Sequence, residues 1–504
     1  MIKIRGVFME IELKLALLPR YAMRLRRHPL LNQIKPDRRV LLSIYFDTSK
    51  FDLMRRGIAL RVRRVDHHWV QTLKSASRAV GALSSRPEWE MAVADGDRPD
   101  FSVLPQAALD LLAGIKLKHI APVFTTEFQR TTWQIGSDEA QAELALDIGK
   151  ICAGEKCQDI CEVEIERKSG ALELLFHVAI KLLEQIPLHI EPRSKAERGY
   201  ILSDAFNPAP VKASRAAIHK NQTAGEVWNT VMQTALVPLV ANVPGFLEHA
   251  HDTEYLHQLR IALRRLGTGV VLAKALGQGV PDWDRSLHEL LHALNSARDW
   301  DVFLHETLPG ILVALGKGSG NAPVEDATLD LLRCVAARTR QRAQALLLKP
   351  VFTRLVLDLG RSLLVPPDDT QVLEAKVWAD KILEKRWHIL RKRCRSFAGL
   401  GPIERHQARI TAKKMRYAAD VLAPLYGKRS NHFIAALTAM QNDMGHENDL
   451  HVGVQLLSVL PKKSARISYD LGRISGALEF EAMQHAHSSN TTWRRLARSR
   501  LFWR

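Results

Sequence analysis

Along the first 200 residues, charged side chains recur on alternate positions, and the sign of the charge changes from one run to the next. Alternate residues of a strand share a face, so each run predicts a strand with one charged face. Glu10-Ile11-Glu12-Leu13-Lys14 sets two carboxylates and an ammonium on one face; Leu60-Arg61-Val62-Arg63 adds two arginines, and Trp69 to Lys74 follows a turn at Asp66 to His68. Arg86-Pro87-Glu88-Trp89-Glu90 returns two carboxylates, Phe128 to Trp133 brings Arg130, Glu143 to Asp147 brings two acids, and Cys161 to Glu166 brings three. One such strand is an ordinary solvated face. Acids and bases matched over strand after strand predict a closed antiparallel barrel, because each charge inside must meet a partner, a metal or a ligand.

After Tyr200 the alternation stops. Asn207 to Ser214 reads as a linker, and beyond Ile218 apolar residues recur at three and four spacing, which predicts helices. This half repeats itself. His257-Gln258-Leu259-Arg260-Ile261-Ala262-Leu263-Arg264-Arg265 is echoed by His406-Gln407-Ala408-Arg409-Ile410-Thr411-Ala412-Lys413-Lys414, 149 residues on (406 minus 257). Leu294 to Val302 aligns with Met444 to Val452, the shared Asp299 and Asp449 lying 150 apart. On helices, His257, Arg260 and Arg264 form one stripe, and His406, Arg409, Lys413 and Arg416 a second. Such stripes call for an anion or a facing helix, and Asp299 and Asp449 are expected to orient part of each. The run Arg494 to Arg500 reads as a frayed, solvated helix end.

Net charge +18 and pI ≈ 9.8 imply polyanionic company: nucleic acid, polyphosphate or an acidic membrane surface. No unbroken apolar run nears the roughly 18 residues of a membrane helix, and no signal-peptide core opens the chain, so a cytoplasmic address is expected. Cys152, Cys157 and Cys161 lack zinc-ligand spacing and read as buried strand thiols.

The barrel runs, together with Tyr45-Phe46-Asp47-Thr48, Thr72-Leu73-Lys74, Ala145-Leu146-Asp147 and Ser194-Lys195-Ala196-Glu197-Arg198-Gly199-Tyr200, resemble the CYTH superfamily of triphosphate tunnel metalloenzymes, in the family's order over residues 9 to 203. The resemblance implies a charged tunnel that binds triphosphate compounds with divalent metal; members include inorganic, thiamine and RNA triphosphatases and class IV adenylate cyclases. Met1 to Phe8 stand as an upstream extension or a misassigned start. The duplicated motifs resemble the CHAD domain over residues 218 to 490, which implies two pseudosymmetric helical bundles that bind inorganic polyphosphate. The second copy departs from the first, with Lys413-Lys414 for Arg264-Arg265 and Asn448 for Arg298.

The expected architecture is therefore α+β: an N-terminal antiparallel barrel with flanking helices over 9–203, a linker over 204–217, an all-α domain of two pseudosymmetric bundles over 218–490 and a basic tail over 491–504. The expected reaction is metal-dependent hydrolysis of tripolyphosphate to diphosphate and phosphate. Glu10, Glu12, Lys14 and Lys74 are the expected catalytic set, with Arg61, Arg63, Arg130, Lys195 and Tyr45 on the substrate. Mg²⁺ or Mn²⁺ is expected on Glu10, Glu12, Glu162 and Glu164, with Glu143, Asp147 and Glu166 at the metal or behind it. Polyphosphate is expected on His257, Arg260, Arg264, Arg265, His406, Arg409, Lys413, Lys414 and Arg416, in the cytoplasm and at polyphosphate granules, with no membrane and with nucleic acid only as a nonspecific polyanion. Two other readings compete: a polyphosphate-binding granule protein whose barrel is vestigial, and a nucleotide or thiamine triphosphatase or an adenylate cyclase on the same barrel.

Overall fold

Ten strands form one antiparallel sheet: β1 (Phe8–Leu17), β2 (Asp37–Thr48), β3 (Ala59–Val65), β4 (His68–Lys74), β5 (Arg78–Val80), β6 (Leu83–Val93), β7 (Ile120–Gly136), β8 (Gln141–Ala153), β9 (Lys156–Ser169) and β10 (Leu188–Ile190). These coordinates come from a computed structural model, and the described residues are 8–504 except 77, 81–82, 97, 215, 220, 250, 317–322, 365–372, 462–463 and 486–488. Met1 to Val7, most of the expected upstream extension, lie outside them. The order is β10-β1-β9-β8-β7-β2-β3-β4-β6-β5, and β1 also pairs with β6 over Phe8 to Leu13. That pairing closes an eight-stranded barrel, with β5 and β10 as short outer additions.

Closure follows from the alternation. With charged residues turned into the lumen, the intervening apolar residues face outward and need a cover. Helix α4 (Glu173–Leu183) supplies it over β1, β8 and β9, and Leu13, Leu15, Leu144, Val163, Ile165, Phe176 and Ala179 are all within 1% of full burial. Between β2 and β3, the short helix α2 (Asp52–Arg55) is capped by Asp47, which accepts from the Leu53 and Met54 amides and from the Tyr200 hydroxyl. Helix α5 (Lys195–Leu202) lies against β7 and β8, its N-terminus capped by Ser194. Close approach requires Gly199: a Cβ there would sit 2.1 Å from the Phe124 ring. The barrel unit also takes in two pieces of chain from far along the sequence, Leu239–Glu248 and helix α12 (Pro350–Ser362). On α12, Gly360 abuts Phe176 and the Thr353 hydroxyl donates to the Leu188 carbonyl at 2.7 Å.

The second unit is helical. Its centre is formed by α8 (Thr253–Lys274) with α9 (Asp284–Val302), and by α14 (Pro402–Leu422) with α15 (Asn431–Ser458), the two copies of the sequence repeat. Helices α11 (Asp326–Leu347), α13 (Ala375–Arg393), α16 (Ala465–His485) and α17 (Ser489–Ala497) complete the packing around it. The C-terminal run is not frayed as expected. Leu496, Phe502 and Trp503 are buried, Trp503 meets Phe433 edge-on at 5.1 Å, and its indole donates to Glu384 at 3.0 Å. The apolar residues that intersperse the arginines anchor that segment.

Two further expectations need correction. Cys152 and Cys157 are joined by a disulfide across the β8–β9 hairpin, so they are not buried free thiols. Strict counting of unbroken apolar residues also missed Ala224–Glu248, which is long enough to cross a membrane and whose 18-residue apolar stretch has a mean hydropathy of 1.4; 67% of that stretch is buried inside the protein, the pattern of a core helix.

Candidate active site and basic cluster

The barrel encloses a cavity of ≈ 170 Å³ whose wall includes Glu10, Glu12, Lys14, Tyr45, Arg61, Arg63, Lys74, Arg86, Glu88, Arg130, Glu164 and Lys195. Strand register sets opposite charges side by side: Glu10 faces Arg86, Lys14 faces Glu164, Lys74 faces Glu88 and Arg130 faces Asp147. Lys74 Nζ bonds both Glu10 oxygens at 2.7 and 2.8 Å and lies 3.1 Å from Glu88. Arg86 donates to Glu10 at 2.8 Å and reaches Glu12 at 3.4 Å. Lys14 lies 3.8 Å from Glu12 and 3.6 Å from Glu164. From α5, Lys195 meets Glu164 at 2.9 Å, Asp147 at 2.7 Å and Glu162, while Arg198, one turn on, also meets Glu162. Arg130 completes the group with bonds to Asp147 at 2.6 Å and Glu164 at 2.5 Å.

One cation stands apart. Arg63 donates from Nε to the Ser43 hydroxyl at 2.9 Å and its guanidinium lies over the Phe128 ring, as do Arg130 and Lys195. Among the described residues it forms no ion pair within 4.0 Å; burial, and then Arg61 and Arg130, push its pKa down to about 10. The acids respond to their neighbours in two ways. Burial alone would raise Glu10 and Glu164, but Lys74 and Arg86 hold the first, and Lys195, Arg130 and Lys14 the second, well below the usual carboxylate range. At Glu88 and Glu166 burial prevails over Lys74 and Lys168, and both carboxyls are raised. Tyr45 serves both roles open to it: its ring stacks on Phe124 at 4.5 Å, while its hydroxyl feels Arg61 and Arg63, which lower its pKa against the effect of burial.

The cavity thus gathers Glu10, Glu12, Lys14, Lys74, Arg61, Arg63, Arg130, Lys195, Tyr45 and Glu164 along its lining. Glu162 is buried off that wall, 1% exposed. Sequence reading passed over Arg86 and Arg198 as site residues. Both carried a signal: Arg86 alternates with Glu88 and Glu90, and Arg198 follows Lys195 at helical spacing. Oxygen-only donors suit a hard divalent cation. Asp147, Glu162 and Glu164 bring carboxylate oxygens within 4.8 Å of one another, with the Lys195 ammonium against all three; of the four acids expected to hold the metal, Glu10, Glu12 and Glu164 line the cavity, as do Glu88, Glu90 and Glu166. The residues present fit a hard metal by chemistry, each acid exchanging an ammonium or guanidinium for it.

Beside this cavity lies a larger, more apolar one of ≈ 570 Å³ that shares Glu12, Lys14, Lys74 and Arg86 and adds Met54, Ile58, Leu83, Pro192, Tyr200 and Phe206.

In the helical unit, α8 and α14 bring the two stripes together. Arg264 donates to the Tyr417 hydroxyl at 3.1 Å, Arg260 to the Asn295 amide oxygen at 2.8 Å and Arg409 to that of Asn448 at 2.6 Å. The direct acceptors are two amides and a phenol; Asp299 and Asp449, expected to orient these cations, act on Arg260 and Arg409 through space. Acids do not match the cations here. Burial, then Arg264, lowers Arg260 to about 9, and burial, then Arg409, Arg264 and Arg260, lowers Lys413 to about 7. His257 is half-buried near Arg298, His406 and Lys414 are exposed, Arg416 lies 3.8 Å from Asp420, and Arg265 turns to the Ser214 carbonyl at 2.7 Å.

Comparison with known proteins agrees with both parts. Residues 9–200 match the family model of the CYTH domain and residues 230–458 that of the CHAD domain. An inorganic triphosphatase of Haemophilus influenzae is 33% identical over 194 residues, 38% of this chain and 54% of that protein, so the chain spans about half the length of this relative. The CHAD domain from the plant Ricinus communis is 27% identical, with a TM-score of 0.51 over 58% of this chain and 98% of its own. A Hippeastrum protein with a dominant triphosphatase activity is 19% identical over 40% of this chain and 98% of its own, at a TM-score of 0.28.

Proposed function

From a chain that joins a CYTH domain to a CHAD domain, we propose an inorganic triphosphatase that hydrolyses tripolyphosphate to diphosphate and phosphate with Mg²⁺ or Mn²⁺ and holds longer polyphosphate on its helical unit. Arg63 is the observation that carries this reading. It is a guanidinium on the cavity wall with no carboxylate within 4.0 Å among the described residues, so a compact polyanion would supply the close counter-charge that the wall does not. Arg61, Arg63, Arg130, Lys195, Lys14, Lys74 and Arg86, all on the cavity wall, grip the phosphate oxygens. Glu10, Glu12 and Glu164 would hold the metal, and Glu162 fixes Lys195 from behind. The metal, when bound, supplies charge neutralisation on the phosphate oxygens. Water attacks the terminal phosphorus as the bond to the bridging oxygen breaks, and an acid of the cavity lining orients that water and takes its proton; burial, which raises Glu88 and Glu166, favours those two for the role.

Phosphate release from tripolyphosphate, ATP and thiamine triphosphate, each with Mg²⁺, Mn²⁺ or EDTA, tests this. Preference for tripolyphosphate with metal is expected; release no greater than in EDTA would leave only a polyphosphate-binding protein. A second reading rests on the apolar cavity beside the charged one, which offers room for the organic part of a nucleoside or thiamine triphosphate. Faster turnover of either over tripolyphosphate would establish it. The proposed location is the cytoplasm, at polyphosphate granules. The Cys152–Cys157 bond speaks for an oxidising one, and thiol counting on protein isolated under alkylation decides between them.

A further inference from the structure

Helix α16 turns one face away from its own chain. Leu471, Ile474 and Leu478 pack inward, whereas Tyr469, Phe480 and Met483 on the opposite side are 56%, 64% and 72% exposed. Gly472 and Gly476 lie between them on that exposed face, at steps of three and four residues. Glycine is the poorest helix former after proline. A Cβ at either position would meet nothing within 4 Å, so packing within this chain does not call for a glycine at either.

This face is its own complement. Turned antiparallel about Gly476, it sets Tyr469 opposite Met483, Gly472 opposite Phe480 and Arg473 opposite Glu479, these pairs lying seven, four and three residues either side of 476. Each Phe480 ring enters the space that a glycine leaves open, and two backbones can come close where the axis passes Gly476. Arg473 stands at the edge of this face with its side chain mostly buried, 3.6 Å from the buried Asp470 and over the Tyr469 ring at 5.6 Å, so the glycines and the exposed Tyr469, Phe480 and Met483 carry the match. We propose that α16 is a self-association surface, through which the chain pairs with a second copy of itself antiparallel about Gly476. One helix face covers less than the roughly 800 Å² per partner of a standard interface, so the pairing is weak and reversible.

Sedimentation equilibrium of the full chain over a concentration series reads this directly. A reversible monomer–dimer equilibrium is expected, and Gly476→Glu, which places two carboxylates together on the axis, should raise its dissociation constant by about tenfold or more, with the circular dichroism and the melting temperature no lower than wild type. Gly476→Cys with oxidised glutathione should yield a dimer in which the peptide carrying position 476 is linked to itself. A wild-type chain that stays monomeric throughout, self-association that Gly476→Glu leaves unchanged, or no 476–476 link in a dimer that does form would overturn the proposal. So would anionic phospholipid vesicles that retain the wild-type monomer and release Gly476→Glu, which would assign the face to a membrane surface.

Discussion

The barrel cavity and the α8–α14 cluster both gather lysines and arginines, but they treat the charge differently. Among the described residues, nearly every barrel cation has a carboxylate within 4.0 Å, supplied by strand register and by α5, and Arg63 is the exception. In the cluster the near partners of Arg260, Arg264 and Arg409 are amides and a phenol, with Asp420 beside Arg416, and the neighbouring arginines lower the proton affinity of Lys413. A compensated cavity can take up an anion together with a metal, because carboxylates and cations each find an opposite. An uncompensated cluster gains from the anion alone. The two regions therefore should differ in their need for metal, and the experiments below probe that difference.

The largest expected effect is in the barrel. Glu10→Gln removes a carboxylate charge at almost constant volume and should lower kcat for tripolyphosphate by roughly a thousandfold. Turnover like wild type at saturating metal would take Glu10 out of the metal set. Next, Arg63→Ala should raise KM by about ten- to a hundredfold while the melting temperature holds or rises, because the substitution relieves repulsion from Arg61 and Arg130 and breaks no ion pair. A large fall in melting temperature would make Arg63 structural.

In the cluster, Arg260→Glu with Arg409→Glu should weaken long-chain polyphosphate binding by about a hundredfold and leave tripolyphosphate hydrolysis nearly untouched. Wild-type binding should persist in EDTA and fall steeply with salt. The full chain is the right material for this, since α12 belongs to the barrel unit and truncation at the linker would strip it of its partners. Loss of hydrolysis in that variant would erase the contrast between the two regions. Smaller again, Gly199→Ala should cost roughly 1–3 kcal/mol of stability, read by denaturant melts, as the Phe124 ring yields to a Cβ.

The smallest effect is on protons. A lysine depressed to about 7 is partly neutral at pH 8, and an arriving polyanion restores its charge, so polyphosphate binding should take up protons there. Titration calorimetry in buffers of different ionisation enthalpy measures this, and Lys413→Met should abolish it. The same shift means that the unfolded chain binds more protons than the folded one between about pH 7 and the ordinary lysine pKa. This group's contribution to stability therefore rises with pH through that window and is lowest below it.

Period and charge in the chain itself determined much of this protein. Alternation of Glu10, Glu12 and Lys14 against apolar neighbours specified strands with one charged face, and the His257 and His406 motifs specified a duplicated helical unit, because side-chain direction along a strand or helix is a local property of the backbone. Neighbours across space were decided elsewhere. Nothing local in Glu162 says that it lies behind Lys195, nothing in Arg63 says that it has no carboxylate within 4.0 Å among the described residues, and nothing in α12 says that it joins a barrel more than 150 residues earlier in the chain. Register, burial and long-range packing set those distances, and charge pairing at a few ångströms depends on distances that only the closed fold fixes.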